Sequence, residues 1–307
     1  MVAGWFKAWK FTSTQLFRIP TTTVVDFIFF DSAYVYTTSG ITGKQGTDMP
    51  GPSVTGARRK WMKKLHKGAL LLPDSSKVPI GLMSFASGGI PGGHAFFVMP
   101  LPSYWVSTGL TSAELGLDNL ITGVFLHEFS HTQQMQNFGK RIHDFETTMD
   151  TGYEFSDDIV QDIFRNDSAY TRRFRQETES IFSAAAISDK LARDRAALRA
   201  LEQLKQRQSN YFVNQRGTLK QVDDLFLTME GLGQYAMYAW LTHPKGAGIA
   251  ADKAIAGVRR GKKQWSQDEG FALFLLLSRY APAKKWAPQM FGQQTTTIVE
   301  ILSSYLK

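Results

Sequence analysis

The sequence contains no cysteine, which excludes disulfides and any metal site built from thiolates. It also has no apolar run of membrane-spanning length, so we expect no transmembrane segment. The N-terminus is aromatic and basic, and it lacks the apolar centre and small-residue cleavage site of a signal peptide. These absences leave the compartment undetermined. We expect a soluble protein, either cytoplasmic or extracytoplasmic with a signal already removed.

Acidic residues are scarce in the first third of the chain. Residues 1–110 hold 11 Lys/Arg against 4 Asp/Glu, a difference of +7, whereas residues 111–307 hold 24 against 23, a difference of +1. Much of this excess lies in residues 57–67, which could bind nucleic acid, an anionic surface or an acidic substrate. A solvated amphipathic helix with Trp61 and Leu65 facing inward explains the same pattern. Because no nucleic-acid motif accompanies the charge, we favour the helix and expect no nucleic-acid partner.

The N-terminal third otherwise has the composition of β-strands. Residues rich in β-branched and aromatic side chains occupy 22–30, 32–38, 78–85 and 94–99. Segments rich in Gly and Pro separate them and indicate turns. The pattern predicts a sheet of about four strands, with the basic helix packed on it.

From residue 111 onward, apolar residues recur at helical spacing. We predict helices over residues 118–139, about 175–208 and about 222–241. Capping boxes at residues 266–269 and 297–300 each indicate the start of a further helix. The fold class is therefore predicted as α+β, with a strand-rich subdomain at 1–110 and a mainly α-helical subdomain at 111–307.

The first of these helices contains the run Leu126-His-Glu-Phe-Ser-His131. Asp118 is placed to cap the helix, and Gly139 to follow its last turn. His127 and His131 stand four residues apart on one helix face, so both imidazoles could bind one metal ion. Glu128 points in a neighbouring direction, where it could hold a metal-bound water and take its proton. No other stretch of the sequence offers a comparable set of chemical groups.

The surroundings of the two histidines support a buried metal site. Gly123 lies one turn before His127 on the same stripe and would leave room for substrate. The rest of the helix is apolar almost all round, which is typical of a helix in a core. Buried histidines without a metal would each need other hydrogen-bond partners. The alternative interpretation is a pair of core histidines with such partners.

A catalytic zinc ion needs a third protein ligand and one open position. A third histidine six residues after His131 is absent, because Gln134 and Asn137 occupy the places of that pattern. A distant carboxylate or histidine must then supply the ligand. The best candidate is Glu230, which lies in an otherwise apolar helix where an unpaired carboxylate would be unstable. The adjacent Gly231 would let another backbone approach closely.

Three further residues are candidates for supporting roles. Gln234, one turn after Glu230, could accept a hydrogen bond from the outer nitrogen of a ligand histidine, and Tyr238 shares that helix face. Glu177 is a rival third ligand on the apolar stripe of the long helix. If Glu230 is the ligand, Glu177 could bind a substrate amine. A salt bridge from Glu177 to one of the arginines at 172, 173 or 175 is equally compatible with the sequence.

The His-Glu-x-x-His motif followed by Glu-Gly-Leu-x-x-Tyr resembles the gluzincin metallopeptidases, the broad thermolysin-like and aminopeptidase-like group. The matching motifs cover about twenty residues. The resemblance implies a zincin-like fold, with His127, His131 and Glu230 as Zn²⁺ ligands and Glu128 as general base. It also implies an edge strand before the histidine helix for the substrate, for which residues 94–99 are our choice.

The sequence departs from that group in two respects. Ninety-eight residues lie between His131 and Glu230, a longer gap than usual, which must hold the long helix as an inserted element. Gln234 stands where a carboxylate is often found one turn after the ligand glutamate. The gap is what leaves room for Glu177 as a rival ligand.

These residues predict a zinc metallopeptidase acting on a peptide or protein substrate, with both subdomains forming one catalytic unit. Glu128 would accept a proton from the attacking water and deliver it to the leaving amine. The donor to the tetrahedral oxyanion stays open between Tyr238, His243 and Tyr280. Two alternatives are an inactive zincin-like interaction module and a basic protein that binds anionic surfaces through residues 60–67. The sequence indicates neither the cleavage specificity, endo- or exopeptidase, nor the oligomeric state.

Overall fold

The fold was obtained as a computed structural model, and the predicted α+β class is confirmed. Strands concentrate in the N-terminal third, and helices make up most of the remainder. The residues that the structure describes are 2–21, 23–53, 59–89, 93–149, 153–260, 263–292 and 295–306.

The chain packs as two compact units. The first comprises Met1–Gln136 and Ala236–Gly257, and the second comprises Asn137–Tyr235 and Val258–Lys307. This division by packing differs from the predicted division at residue 110, because the segment that contains His127 and His131 lies in the same unit as the strands.

Among the described residues, six strands form one sheet and two more form a hairpin. The strands are β1 (Val25–Phe30), β2 (Tyr34–Thr37), β3 (Thr47–Met49), β4 (Trp61–Leu65), β5 (Ala69–Leu71), β6 (Lys77–Pro79), β7 (Phe85–Ser87) and β8 (Ala95–Pro100). The sheet order is β3-β4-β2-β1-β8-β7, with β1 and β8 parallel and the other neighbours antiparallel. Strands β5 and β6 form the separate antiparallel hairpin.

Both faces of the sheet are covered by apolar side chains. On one face, aromatic residues of the strands pack against helices α1 (Val2–Phe11) and α3 (Leu117–Gln134). Ring centroids lie 5.4 Å apart for Phe97 and Phe125 and 5.6 Å apart for Phe27 and Phe129. On the other face, Ile28 and its neighbours pack with residues of the β5–β6 hairpin and its flanks. Because successive side chains of β1 point to opposite faces of the sheet, this strand contributes to both apolar layers.

The basic segment is a strand, so the helix predicted for it is wrong over its described residues. Strand β4 pairs with β2 in antiparallel register, with Lys63 opposite Tyr36. Trp61 is buried as predicted, but Leu65 is 59% exposed at the other end of the strand. Strand β4 has only five residues. Over so short a segment, the apolar positions fit the two-residue repeat of a strand and the 3.6-residue repeat of a helix equally well. Residues 57 and 58 of the segment lie outside the described residues.

The strand chosen as the sheet edge is an interior strand. Strand β8, which carries most of residues 94–99, lies between β1 and β7 in the sheet order. The prediction of an edge at this strand is therefore wrong. Strand β7 ends the sheet on that side. Its three residues were too few to give a separate signal in the sequence.

The helices after α1 follow the predicted pattern only in part. Helix α1 runs on through the π-helical stretch Thr12–Phe17, and α3 runs on through a second one, Met135–Gly139. The remaining helices are α2 (Pro102–Ser107), α4 (Lys140–Thr148), α5 (Ile159–Phe164), α6 (Ser168–Ala186), α7 (Lys190–Tyr211), a 3₁₀ turn (Asn214–Arg216), α8 (Leu219–Thr242), α9 (Ala251–Val258), α10 (Trp265–Ser278), α11 (Ala283–Phe291) and α12 (Ile298–Tyr305). None of the described helices combines the length and the apolarity needed to cross a membrane.

Several predicted helix ends need correction. Asp118 lies inside the first turn of α3, and Gly139 does not end the helical path, which continues into α4. The predicted long helix is two helices, since Ile187 is extended and Asp189 caps α7 by accepting the Ala192 N–H. Thr297 forms its predicted capping box, whereas the one predicted at residues 266–269 falls inside α10.

Glycines let α8 and α10 touch backbone to backbone, as predicted for Gly231. A Cβ atom added at Gly231 would lie 2.6 Å from the Gly270 Cα, and one added at Gly270 would lie 2.3 Å from the Leu227 carbonyl oxygen. No flexible side chain at this crossing could move aside. The crossing belongs to the second unit, and it brings α10 alongside the helix that carries Glu230.

We predict that Gly231→Ala lowers the free energy of unfolding by about 1–3 kcal/mol, because the helix backbones must separate. Urea denaturation measures this change. Gly4→Ala is the control, since a Cβ added there in α1 would meet nothing within 4 Å. That variant should gain stability from the higher helix propensity of alanine. A Gly231→Ala variant as stable as the wild type would contradict the close crossing.

Candidate metal centre

The two motif histidines converge on one point. Their Nε2 atoms are 3.0 Å apart, and their ring planes lie nearly perpendicular at 89°. Both side chains are buried. Two nitrogens bound to the same tetrahedral zinc ion, each at roughly 2.0–2.1 Å, lie about 3.3 Å apart. The spacing of His127 and His131 therefore fits a shared ion, and without one it requires a proton between the two nitrogens.

The rotation of α3 about its axis sets the direction of these imidazoles. Phe125 and Phe129, whose rings stack at a centroid distance of 5.3 Å, form the stripe that packs on the sheet. His127 comes two residues after Phe125, which is about 200° around the helix. The histidines therefore point away from the sheet.

The position one turn before His127 is filled. A Cβ atom added at Gly123 would lie 2.6 Å from atoms of the Met237 side chain. The prediction that Gly123 leaves room for substrate is therefore wrong. Gly123 makes room for the last turns of α8 instead.

Gln134 supports the histidine pair. Its Oε1 lies 3.3 Å from the His131 Nδ1, and the side chain is fully buried. A His131 tautomer that donates Nδ1–H to this oxygen leaves the Nε2 lone pair directed at the convergence point. This role of Gln134 was not predicted from the sequence. Its spacing of three residues from His131 on one helix was the available signal.

The glutamine predicted for the supporting role, Gln234, has another contact. Its Nε2 donates to Gln267 Oε1 at 2.5 Å. The Oε1 of Gln234 is buried, and it has no hydrogen-bond partner among the described residues. The predicted bond to a ligand histidine therefore stays a prediction.

Glu128 completes the group of potential ligands on α3. Within the described residues, His127, Glu128 and His131 are the one group of three such side chains whose ligand atoms all lie within 4.8 Å of one another. Glu128 is half-buried, in contrast to the two histidines. A carboxylate that is close to the ion and still open to solvent suits a general base.

Glu230 lies in the second unit in buried and partly acidic surroundings. The side chain is 6% exposed, and Gln267 Nε2 donates to its Oε2 at 3.1 Å. Burial, followed by the negative charge of Glu230, raises the pKa of Asp158 to about 6. Such surroundings favour a cation. Asp158 and Gln267 were not predicted as neighbours of Glu230, because both lie far from it along the chain.

Glu177 has a cationic partner of its own. Its carboxylate accepts a hydrogen bond from the Nε of Arg207, and both side chains are almost fully buried. The same guanidinium lies 3.0 Å from Glu269 Oε2 and 3.2 Å from Asp223 Oδ2. The structure thus gives Glu177 a salt bridge, but to an arginine thirty residues away on α7 and not to the arginines considered from the sequence. This pairing favours Glu230 over Glu177 as the third ligand.

The three candidates for the oxyanion donor have different surroundings. The Tyr280 hydroxyl donates to Asp194 Oδ1 at 2.9 Å, and burial together with this bond raises the pKa of Tyr280 to about 12. The His243 Nδ1 accepts the Lys245 backbone N–H at 3.0 Å. Tyr238 is half-buried and directly follows Met237, the residue that packs on Gly123. These contacts do not rank the three candidates.

No known protein family, curated protein or solved structure matches this chain. The chemistry of the site must therefore be inferred from its own side chains. Two converging imidazoles, a neighbouring amide and an adjacent carboxylate form a group that could hold a metal ion.

We predict that Gln134→Met weakens zinc binding by about tenfold or more, because the His131 tautomer and ring orientation lose their support. Competition with a chromogenic chelator measures the affinity. Gln136→Met is the matched control, since Gln136 is exposed two residues further along the chain. Equal zinc affinity in Gln134→Met and the wild type would contradict the assigned role.

Proposed function

We propose that the protein is a zinc-dependent metallopeptidase of the gluzincin type with a zincin-like fold. In this proposal His127, His131 and Glu230 hold the ion, and Glu128 is the general base. The observation that carries the proposal is the 3.0 Å approach of the two Nε2 atoms. The amide of Gln134 beside His131 and the half-buried carboxylate of Glu128 support it.

The bound ion would lower the pKa of a coordinated water towards neutrality. Glu128 would accept a proton from the attacking water and pass it to the amine that leaves. The helix-fixed spacing of Glu128 from both histidines keeps its carboxylate within reach. The donor to the oxygen that becomes negatively charged stays open between Tyr238, His243 and Tyr280.

The surroundings of Glu230 support it as the third ligand. The side chain is buried and lies near the acidic Asp158, and such surroundings favour a cation. The hydrogen bond from Gln267 would hold the Glu230 carboxylate in one orientation.

For the substrate we propose an extended peptide that adds to strand β7. This strand ends the sheet, and it lies on the side of α3, where Gly88 approaches the Met135 side chain. An edge strand offers unpaired backbone groups to an extended chain. Strand β7 thus takes the place that we first assigned to residues 94–99.

We predict that Glu128→Gln abolishes hydrolysis, with a loss of about 100-fold or more, while zinc is retained. A peptide library read by mass spectrometry, with and without a chelator, measures the activity, and elemental analysis measures the zinc. Glu114→Gln is the control, because Glu114 is exposed and outside the site. Undiminished cleavage by Glu128→Gln would contradict the mechanism. Zinc binding without any cleavage by the wild type would favour an inactive interaction module.

For the third ligand we predict that Glu230→Gln loses zinc affinity by about tenfold or more, whereas Glu177→Gln retains it. The isosteric amides limit disturbance of the buried surroundings, and circular dichroism verifies the fold. Zinc loss in Glu177→Gln alone would reverse the assignment. Absence of stoichiometric zinc from the wild type would instead favour a basic protein that binds anionic surfaces through residues 60–67.

A further inference from the structure

Charged side chains from four helices meet in one buried cluster of the second unit. Arg207 of α7 lies at its centre, and its side chain is 1% exposed. Its Nε donates to Glu177 of α6, and its Nη2 donates to Glu269 Oε2 of α10 at 3.0 Å. Its Nη1 lies 3.2 Å from Asp223 Oδ2 of α8. A single guanidinium therefore joins carboxyl groups from three other helices.

The carboxyl groups of this cluster outnumber its one positive charge. The side chains of Glu177, Glu269 and Asp223 are all buried, at 2%, 0% and 7% exposure. Three ionised carboxylates would leave two negative charges without compensation inside the cluster. Because burial of unpaired charge is unfavourable, this arrangement requires a proton on one of the three groups.

Glu269 is the carboxyl group whose surroundings suit the neutral form. Asp223 Oδ2 accepts from Gln208 Nε2 at 3.0 Å, in addition to its contact with Arg207. In Glu269, by contrast, Oε2 accepts from Arg207, while no donor among the described residues reaches the buried Oε1. An ionised oxygen in that position would lack the hydrogen bonds that stabilise its charge. A protonated Oε1 needs only an acceptor.

The acceptor is the carboxylate of Glu177. The side chains of Glu177 and Glu269 are hydrogen-bonded to each other. Ionised carboxylates have no donor hydrogen, so a bond between two of them requires one to carry a proton. The salt bridge with Arg207 favours the ionised form of Glu177. In agreement with this geometry, burial, followed by the charge of Glu177, raises the pKa of Glu269 well above its ordinary value.

The other titratable groups around the cluster do not supply the missing positive charge. The Tyr170 hydroxyl of α6 accepts from Arg207 Nη1 at 2.6 Å, and burial raises the pKa of Tyr170 well above its ordinary value. Burial raises the pKa of Asp224 on α8 to about 6. Asp268, which precedes Glu269 on α10, forms a salt bridge outside the cluster. Among the described residues, Arg207 is thus the one cation hydrogen-bonded to Glu269.

We propose that Glu269 is a proton-operated latch: its neutral carboxyl group donates to Glu177 and ties α10 to α6. Loss of the proton removes this hydrogen bond and leaves two carboxylates side by side in a buried site, which drives the two helices apart. The latch is therefore closed when Glu269 is protonated, and it opens as the pH rises. This device does not depend on the proposed zinc chemistry.

The pH dependence of unfolding tests this latch. A glutamate in an unfolded chain loses its proton at about pH 4.3, whereas the folded chain keeps the proton of Glu269. Glu269→Gln retains a neutral side chain that can donate to Glu177 and accept from Arg207, but it has no proton to release. We therefore expect the ratio of the wild-type to the variant unfolding constant to rise about tenfold per pH unit above about pH 6.5, until Glu269 ionises.

Urea denaturation of the full chain at a series of pH values, without added metal, measures both constants. Glu202→Gln, at an exposed position of α7, is the matched control and should keep the pH dependence of the wild type. Infrared spectroscopy of the folded wild type is a second measurement that needs no variant. At about pH 7.5 we expect the carbonyl band of one protonated carboxyl group. Asp158 and Asp224, each with a pKa of about 6, are then mostly ionised.

Three results would overturn the proposal. A constant ratio of the two unfolding constants would mean that folded Glu269 binds no extra proton. Absence of the protonated carboxyl band from the folded wild type would mean that Glu269 is ionised at about pH 7.5. Persistence of that band in Glu269→Gln would place the proton on another carboxyl group.

Discussion

The stacking of α3 on the aromatic sheet face is the constraint from which the candidate site follows. Phe125 and Phe129 contact the aromatic layer, which fixes the rotation of the helix about its axis. The helical repeat then turns His127 and His131 away from the sheet and onto a common stripe with Gly123. Because this stripe is covered, the imidazoles are held in a buried setting. There the protein can fix their spacing more firmly than on an exposed helix.

Two buried ionisable side chains of the second unit, Arg207 and Glu230, each have hydrogen-bond partners. Arg207 donates hydrogen bonds to Glu177 and Tyr170 and forms a salt bridge with Asp223. Glu230 accepts from Gln267 at the place where α8 and α10 cross through their glycines. A buried carboxylate is stable only when a donor or a cation accompanies it. The two glutamates that competed as third ligand thus differ in their surroundings, and Arg207 already supplies the cation at one of them.

The features that were predicted correctly are those that depend on residues close together in the sequence. The α+β class, the extent of α8, the close approach at Gly231 and the capping box at Thr297 are all read from spacing within one segment. Contacts between distant segments escaped prediction. The partner of Glu177 is thirty residues away, and Met237 fills the space beside Gly123 from another helix. Strand β4 was misread because its short alternation fits a strand or a helix, and pairing with β2 decides between them.

In the proposed site, two imidazoles and one carboxylate bind one zinc ion. X-ray absorption at the zinc edge, on protein loaded with one equivalent of zinc, tests this coordination most directly. We expect two imidazole nitrogens at about 2.0–2.1 Å, with the remaining positions filled by oxygen. A spectrum with fewer than two imidazoles would contradict the proposed site, because it would place the ion away from His127 and His131.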